Sequence, residues 1–191
     1  MSRIVVLVSG RGSNLQALID AKNSGAIKSE ITLVISNKEN VYALERAHKA
    51  GISTQVIPSK NQDSTQFFTK VIHAVQQQNP TWIILAGFMK ILPKDFVQAF
   101  QNRIINIHPS LLPLFPGLHA QEQAIDAGAK ETGCTVHFVD EGCDTGPIIL
   151  QKKMAILPND TAEAVAARLL PIEHAALVEA VQFLEKQNPF N

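Results

Sequence analysis

An asparagine and a histidine stand two positions apart in the stretch Asn106-Ile107-His108. Residues two apart on a β-strand project from the same face, so both side chains would enter one site. Histidine exchanges a proton near neutral pH, and an asparagine amide can donate a hydrogen bond to a developing oxyanion. The pattern suggests acyl or one-carbon transfer. The alternative is that both side chains hydrogen-bond the loop that follows and only hold its shape.

A turn with two glycines, Ser9-Gly10-Arg11-Gly12-Ser13-Asn14, follows a short apolar run and precedes a helical pattern that opens at Leu15. Glycines let the backbone approach a ligand closely, and the free N–H groups of a helix N-terminus favour an anion. A third glycine is missing, and the second strand ends in Ser36 and Asn37 rather than an acid, so one phosphate monoester is favoured over NAD. The alternative is that Ser13 or Asn14 simply caps the helix.

Composition narrows the class of protein. The chain has 191 residues, of which 46% are hydrophobic, enough for a sizeable core. The 17 basic and 17 acidic residues cancel, so nothing suggests binding to nucleic acid, which normally requires a basic excess. Cys134 and Cys143 form no C-x-x-C pair, and no metal-ligand spacing stands out, so we expect no metal.

The apolar runs are short. The longest, Trp82 to Met89, is far below the roughly 20 residues that cross a bilayer. The run Ile4–Val8 is too short for the apolar region of a secretory signal. We therefore expect a soluble cytoplasmic protein that acts on small molecules and binds neither membrane nor nucleic acid.

Apolar, β-branched runs alternate with amphipathic stretches in the first half of the chain, which predicts a parallel sheet with crossover helices. The predicted strands are Ile4–Val8, Ile31–Ile35, Thr54–Ile57, Trp82–Ala86 and Ile104–Ile107. The predicted helices are Leu15–Lys22, Tyr42–Ala50 and Ser64–Gln78. Nearly all-apolar strands indicate a central sheet that is covered on both faces.

The pattern changes after residue 107. A proline-rich loop precedes a predicted helix at Gln121–Ala127, and the runs Thr135–Val139 and Ile148–Lys153 predict an antiparallel pair with a long connection. A long helix is predicted over Thr161–Lys186, with Asp160 as its N-cap and Pro171 kinking or breaking it. The expected fold class is thus α/β, a doubly wound and mostly parallel sheet with an antiparallel excursion, in a single domain over residues 1–191.

Several motifs, in order along most of the chain, resemble those of the folate-dependent formyltransferases. They are Asn106-Ile107-His108-Pro109-Ser110-Leu111-Leu112-Pro113, Gly133-Cys134-Thr135-Val136-His137-Phe138-Val139 and Asp144-Thr145-Gly146-Pro147-Ile148. The opening Val8-Ser9-Gly10-Arg11-Gly12-Ser13-Asn14-Leu15-Gln16 and the run Leu85-Ala86-Gly87-Phe88-Met89-Lys90-Ile91-Leu92 are similar to the glycinamide ribonucleotide transformylase branch. The joint occurrence of these motifs favours catalysis over the loop-shaping alternative.

The resemblance implies a reaction and a set of catalytic residues. Such enzymes move the formyl group of 10-formyltetrahydrofolate, a co-substrate, to the amine of glycinamide ribonucleotide in purine biosynthesis. The attack creates a tetrahedral carbon with an oxyanion, so the site needs hydrogen-bond donors and a proton carrier. By resemblance, Asn106 and His108 supply the donors, and Asp144 is the carboxylate that partners His108 and favours its protonated form.

The resemblance also implies two binding regions, which divide the domain into a nucleotide-phosphate half, residues 1–105, and a catalytic and folate half, residues 106–191. The nucleotide substrate would bind Gly12, Ser13, Asn14 and Glu173. The folate would bind Met89, Lys90, Ile91, Leu92, Asn106, Val139, Asp140 and Asp144.

Two positions depart from the family pattern. Thr65 stands where better-known bacterial members carry an arginine, so a cationic contact to the folate's glutamate tail is missing or comes from Lys90. Leu114-Phe115 replaces a more usual Lys-Tyr pair. The competing hypotheses are a formyltetrahydrofolate hydrolase and a non-catalytic nucleotide-binding module. Methionyl-tRNA formyltransferase shares the central motif but is disfavoured, because the chain lacks a basic excess.

Overall fold

The computed structural model describes residues 1–187, which form one seven-stranded sheet with helices on both faces. The strands are β1 (Arg3–Val8), β2 (Glu30–Ser36), β3 (Thr54–Val56), β4 (Trp82–Leu85), β5 (Ile104–His108), β6 (Glu131–Phe138) and β7 (Ile148–Ala155). The helices are α1 (Ser13–Asn23), α2 (Tyr42–Lys49), α3 (Ser64–Gln78), α4 (Lys94–Ala99), α5 (Ala120–Asp126) and α6 (Ala162–Gln187).

The strand order is β3-β2-β1-β4-β5-β6-β7. The first five strands in this order are parallel, whereas β6 pairs antiparallel with both β5 and β7. The order reverses between β1 and β4, and in sheets of this kind ligands bind in the crevice outside the carboxyl ends of the strands at such a reversal. The expected fold class, including its antiparallel excursion, is confirmed.

Alternation along β1 builds two cores, one on each face of the sheet. Ile4, Val6 and Val8 belong to a buried cluster that also contains residues of α1, α2 and α6. Val5 and Leu7 face a second cluster, formed with α3 and α4. Because neither face meets water, every position from 4 to 8 can be apolar, as the sequence predicted.

Two details of the helices differ from the prediction. Helix α4 follows Pro93 and was not predicted, because six residues are too few to show a helical period. Asp160 is not the cap of α6: the Thr161 hydroxyl accepts the Ala164 N–H at 3.2 Å, while the Asp160 carboxylate accepts from Arg168 and from the backbone of Leu157.

The predicted long helix exists, and Pro171 lies inside it without ending it. The expected domain ran to residue 191, of which residues 188–191 lie outside the described part of the chain. Among the described residues, no helix is both long enough and apolar enough to cross a membrane.

Candidate active site

The structure brings His108, Asn106 and Asp144 together at the carboxyl end of β5. Asn106 and His108 share a face of that strand, and Asp144 comes from the long connection between β6 and β7. The His108 Nδ1 atom lies 3.3 Å from the Asp144 carboxylate. The Asn106 side chain is half-buried beside them.

His108 is only 5% exposed. Its Nε2 atom lies 2.8 Å from the carbonyl oxygen of Phe115 in the proline-rich loop. A carbonyl only accepts, so Nε2 donates to it, and the other ring nitrogen faces a carboxylate, which also accepts. The surroundings therefore suit a doubly protonated imidazolium ring. The bond to Phe115 also means that His108 braces the loop, as the structural alternative expected.

Asp144 is held as an anion. Burial raises its pKa, but the His137 side chain, the Gly117 backbone N–H and the charge of the His108 ring outweigh this effect and lower the pKa to about 2. The Gly117 N–H donates to Oδ2 over 2.9 Å. With φ of 55°, Asp144 occupies the left-handed region that aspartate tolerates better than most residues. The carboxylate is thus ionised at neutral pH and set in place by the protein.

His137 is a site residue that sequence reasoning did not place here. It is 1% exposed and pairs directly with Asn106 across the β5–β6 ladder. Its Nε2 atom lies 3.4 Å from Asn106 Nδ2 and 3.6 Å from Asp144 Oδ1. The sequence contained one signal, a histidine inside an otherwise apolar strand, but the strand pairing that puts it beside Asn106 is tertiary information.

The glycine turn leads into α1 with no side chain capping the helix. Gly12 is the N-cap residue with φ of 70°, and a Cβ built on it would lie 2.6 Å from the Ala43 Cβ, so both backbone conformation and packing require glycine. The alternative that Ser13 or Asn14 caps the helix is wrong, since Ser13 already belongs to α1 and no side-chain cap bond forms. The N-terminal N–H groups are therefore not satisfied by a side-chain cap.

Glu173 lies in α6, which packs against α1. Burial raises its pKa to about 7, and a hydrogen bond from Asn14 only partly opposes that shift. Two buried polar atoms of these two helices, Asn14 Oδ1 in α1 and His174 Nε2 in α6, have no hydrogen-bond partner among the described residues. Glu173 is therefore not the exposed helix glutamate that the structural alternative assumed.

The stretches assigned to the folate lie on the face of the sheet that carries Asn106. Leu92 and Val139 pack against the buried cluster that is formed with α3 and α4. Glu141 contacts both Lys94 and Gln98 of α4. Met89 and Ile91 are exposed, at 67% and 93%, so apolar side chains stand in solvent here. Asp140 instead bonds inside its own loop, to Gly142 N and Thr145 Oγ1.

An open groove of about 730 Å³ adjoins this region at the carboxyl ends of β2 and β3. It is lined by residues of three loops, among them Lys38, Lys60 and Lys90. Inside it, Asn37 connects the Ser9 hydroxyl to that of Ser59. Glu39 also lines it, so the three lysines leave the groove with a net positive charge, although Thr65 supplies none.

Other residues fall outside the site. His119 is exposed and pairs with Glu122 on its own helix, and His48 and His73 are exposed as well. A cavity of about 820 Å³ lies at the amino-terminal ends of β1, β4 and β5, the edge opposite His108. Within residues 1–187, no group of three or more His, Cys, Asp or Glu side chains is arranged to hold a metal ion.

Comparison with known proteins places this site in a class. The sequence profile of the formyl transferase family matches residues 2–181. The chain is similar to the phosphoribosylglycinamide formyltransferase of Escherichia coli (strain K12), 45% identical over 90% of this chain and 82% of that protein. It also superposes on glycinamide ribonucleotide transformylase 1 from Symbiobacterium toebii, with a TM-score of 0.92 and 44% identity over 95% of this chain and 86% of that one.

A longer protein matches as well. The trifunctional purine biosynthetic protein adenosine-3 of Drosophila pseudoobscura pseudoobscura is 51% identical over 95% of this chain, which spans 14% of that protein's length. The chain belongs to the formyl transferase family. Within that family it belongs with the phosphoribosylglycinamide formyltransferases, because identity to that group extends over most of both chains.

Proposed function

We propose that this chain transfers the formyl group of 10-formyltetrahydrofolate to the amine of glycinamide ribonucleotide. The observation that carries the proposal is the convergence of Asn106, His108 and Asp144 at the carboxyl end of β5, close to the point where the strand order reverses. The catalytic roles stand on this geometry together with the family membership. The co-substrate would be a formylated folate.

The chemistry follows from the donors present. When the amine attacks the formyl carbon, an oxyanion develops, which the Asn106 amide and a protonated His108 would stabilise. The amine loses a proton and the departing folate nitrogen gains one, so a group that exchanges protons near neutral pH is required. His108 is suited to this task because the Asp144 carboxylate stabilises its positive charge. The Nε2 atom must first exchange the Phe115 carbonyl for a substrate atom, so the loop has to release it.

The two substrates would meet at the carboxyl edge of the sheet, the nucleotide from the side of α1 and α6 and the folate from the side of α3 and α4. The nucleotide phosphate would bind the backbone at Gly12, Ser13 and Asn14, and Glu173 would face the amine-bearing end of the substrate. The folate would lie along Met89 to Leu92 and the loop from Val139 to Asp144. The lysines of the 730 Å³ groove supply cations for its glutamate tail where Thr65 supplies none.

The test is an assay with paired substrates. The purified chain is incubated with 10-formyltetrahydrofolate, with and without glycinamide ribonucleotide, and tetrahydrofolate is followed. Product that forms only when the nucleotide is present supports transfer. Product that forms equally without it indicates a hydrolase, and no product in either arm favours a nucleotide-binding module; both results would refute the proposal.

A further inference from the structure

We propose that His137 is a positioning residue for this reaction, which holds the Asn106 amide in one orientation through its Nε2 atom. The inference rests on the proposed function, since it assigns a role in that reaction. It begins with the other ring nitrogen. His137 Nδ1 lies 2.9 Å from the carbonyl oxygen of Phe138, and because a carbonyl only accepts, Nδ1 must carry the proton.

The backbone bond decides what Nε2 can do. In a neutral imidazole with Nδ1 protonated, Nε2 has only a lone pair. The Asn106 Nδ2 atom is 3.4 Å away and can donate to it. Asp144 Oδ1, at 3.6 Å, lies beyond hydrogen-bond distance from Nε2, unlike the 3.3 Å contact between Asp144 and His108, and as an ionised carboxylate oxygen it has no proton to give. The neutral ring therefore selects Asn106 as its partner.

This contact decides which of its two possible orientations the Asn106 carboxamide takes. A carboxamide can flip so that its oxygen and nitrogen exchange places, and only the nitrogen end can donate to an oxyanion. An acceptor at His137 Nε2 fixes which end of Asn106 faces β6, and the amide keeps a second N–H for the substrate. Because His137 is 1% exposed, water does not compete for the contact.

The first test uses a substitution and its conservative counterpart. His137→Leu removes the acceptor, and we expect kcat to fall about tenfold to a hundredfold, the equivalent of about 1.4–2.7 kcal/mol, with both KM values within about threefold of wild type. His137→Gln can present an acceptor oxygen, and we expect it to recover most of that loss. Val136→Ala is the matched control, because Val136 is equally buried on the opposite face of the same strand.

The outcomes separate the two proposals. If the wild type transfers formyl groups and His137→Leu keeps wild-type kcat, or Val136→Ala loses as much, the positioning role is refuted while the function stands. If the wild type has no transferase activity, the function fails first. The second measurement needs no activity and no variant: nitrogen NMR of labelled histidine at pH 8 should show His137 with a proton on Nδ1 and none on Nε2. The opposite tautomer would overturn the inference.

Discussion

The two halves of the site differ in how many of their polar groups already have hydrogen-bond or charge partners within the protein before any substrate binds. In the catalytic half, Asp144 Oδ2 contacts the His108 ring and accepts the Gly117 N–H, and the pKa of this carboxyl is lowered to about 2. In the nucleotide half, burial raises the Glu173 pKa to about 7, Asn14 Oδ1 is buried without a partner among the described residues, and the first turn of α1 has no side-chain cap.

The difference indicates where binding energy is used. A carboxylate and an imidazole that are already arranged cost nothing to organise when the reaction begins. Backbone N–H groups without a side-chain cap and the unpartnered Asn14 oxygen gain partners from a ligand, so this half should bind rather than react. In the catalytic half, the Phe115 carbonyl oxygen accepts the hydrogen bond of His108 Nε2, so it must move aside before a substrate can bind that atom.

The largest expected effect comes from His108→Ala, which tests whether the catalytic half, whose groups are already positioned, carries out the reaction. Without the imidazole the proton carrier is lost, and we expect kcat to fall about 10²–10⁴-fold. Thermal unfolding should remain cooperative, because the ring lies at the edge of the core. His119→Ala, at an exposed histidine outside the site, is the control and should keep wild-type turnover. Wild-type turnover in His108→Ala would remove His108 from the mechanism.

Asp144→Asn should lower kcat about 10²-fold, because a neutral amide no longer stabilises the charged ring. It should also change the response of stability to pH. The pKa of Asp144 is lowered from 3.8 to about 2, so the ionised group contributes about 2 kcal/mol above pH 4, which is lost as the pH falls through 2. Urea unfolding at pH 7 and at pH 2 measures this. An equal difference between variant and wild type at both values would contradict the assignment.

Glu173→Gln tests the nucleotide half. Its effect on the pH dependence of stability should have the opposite sign to that of Asp144→Asn. A raised pKa means that the protonated form favours folding, so wild-type stability is full below about pH 4.5 and is lost as the pH rises through about 7. At pH 8 the neutral variant should therefore be more stable by about 1–3 kcal/mol, while at pH 4 the two should agree. Nucleotide KM should rise. Glu179→Gln, at an exposed position of the same helix, should show no such gain, and a less stable Glu173→Gln at pH 8 would refute the interpretation.

Ser13→Asp is expected to have the smallest effect. A carboxylate in the first turn of α1 would repel the substrate phosphate and raise nucleotide KM about tenfold, the equivalent of about 1.4 kcal/mol. The folate KM should stay unchanged. The same charge favours a helix N-terminus, so stability should rise by about 0.3–1 kcal/mol. Ser13→Asn keeps the shape without the charge and should bind nucleotide more tightly than Ser13→Asp; an unchanged nucleotide KM in both would argue against the anion site.

The sequence alone predicted a large part of this protein. The apolar run Ile4–Val8 predicted the centre of a covered sheet, the glycine turn predicted that a helix begins directly after it, and the spacing of Asn106 and His108 predicted that they share a face. The anion site at that helix start stays a prediction. These are local properties, since strand and helix periods and glycine's conformational freedom act over a few residues. The short helix α4 was missed because it has too few residues to show its period.

Tertiary structure decided which side chains meet. Asp144 is 36 positions from His108 along the chain, and only the path of the β6–β7 connection brings its carboxylate to the ring. His137 became a partner of Asn106 through the antiparallel register of β5 and β6, and Glu173 gained its raised pKa from burial within the fold. Hydrogen bonds and desolvation depend on distances of a few ångströms between segments far apart in the chain, and no local pattern encodes those distances.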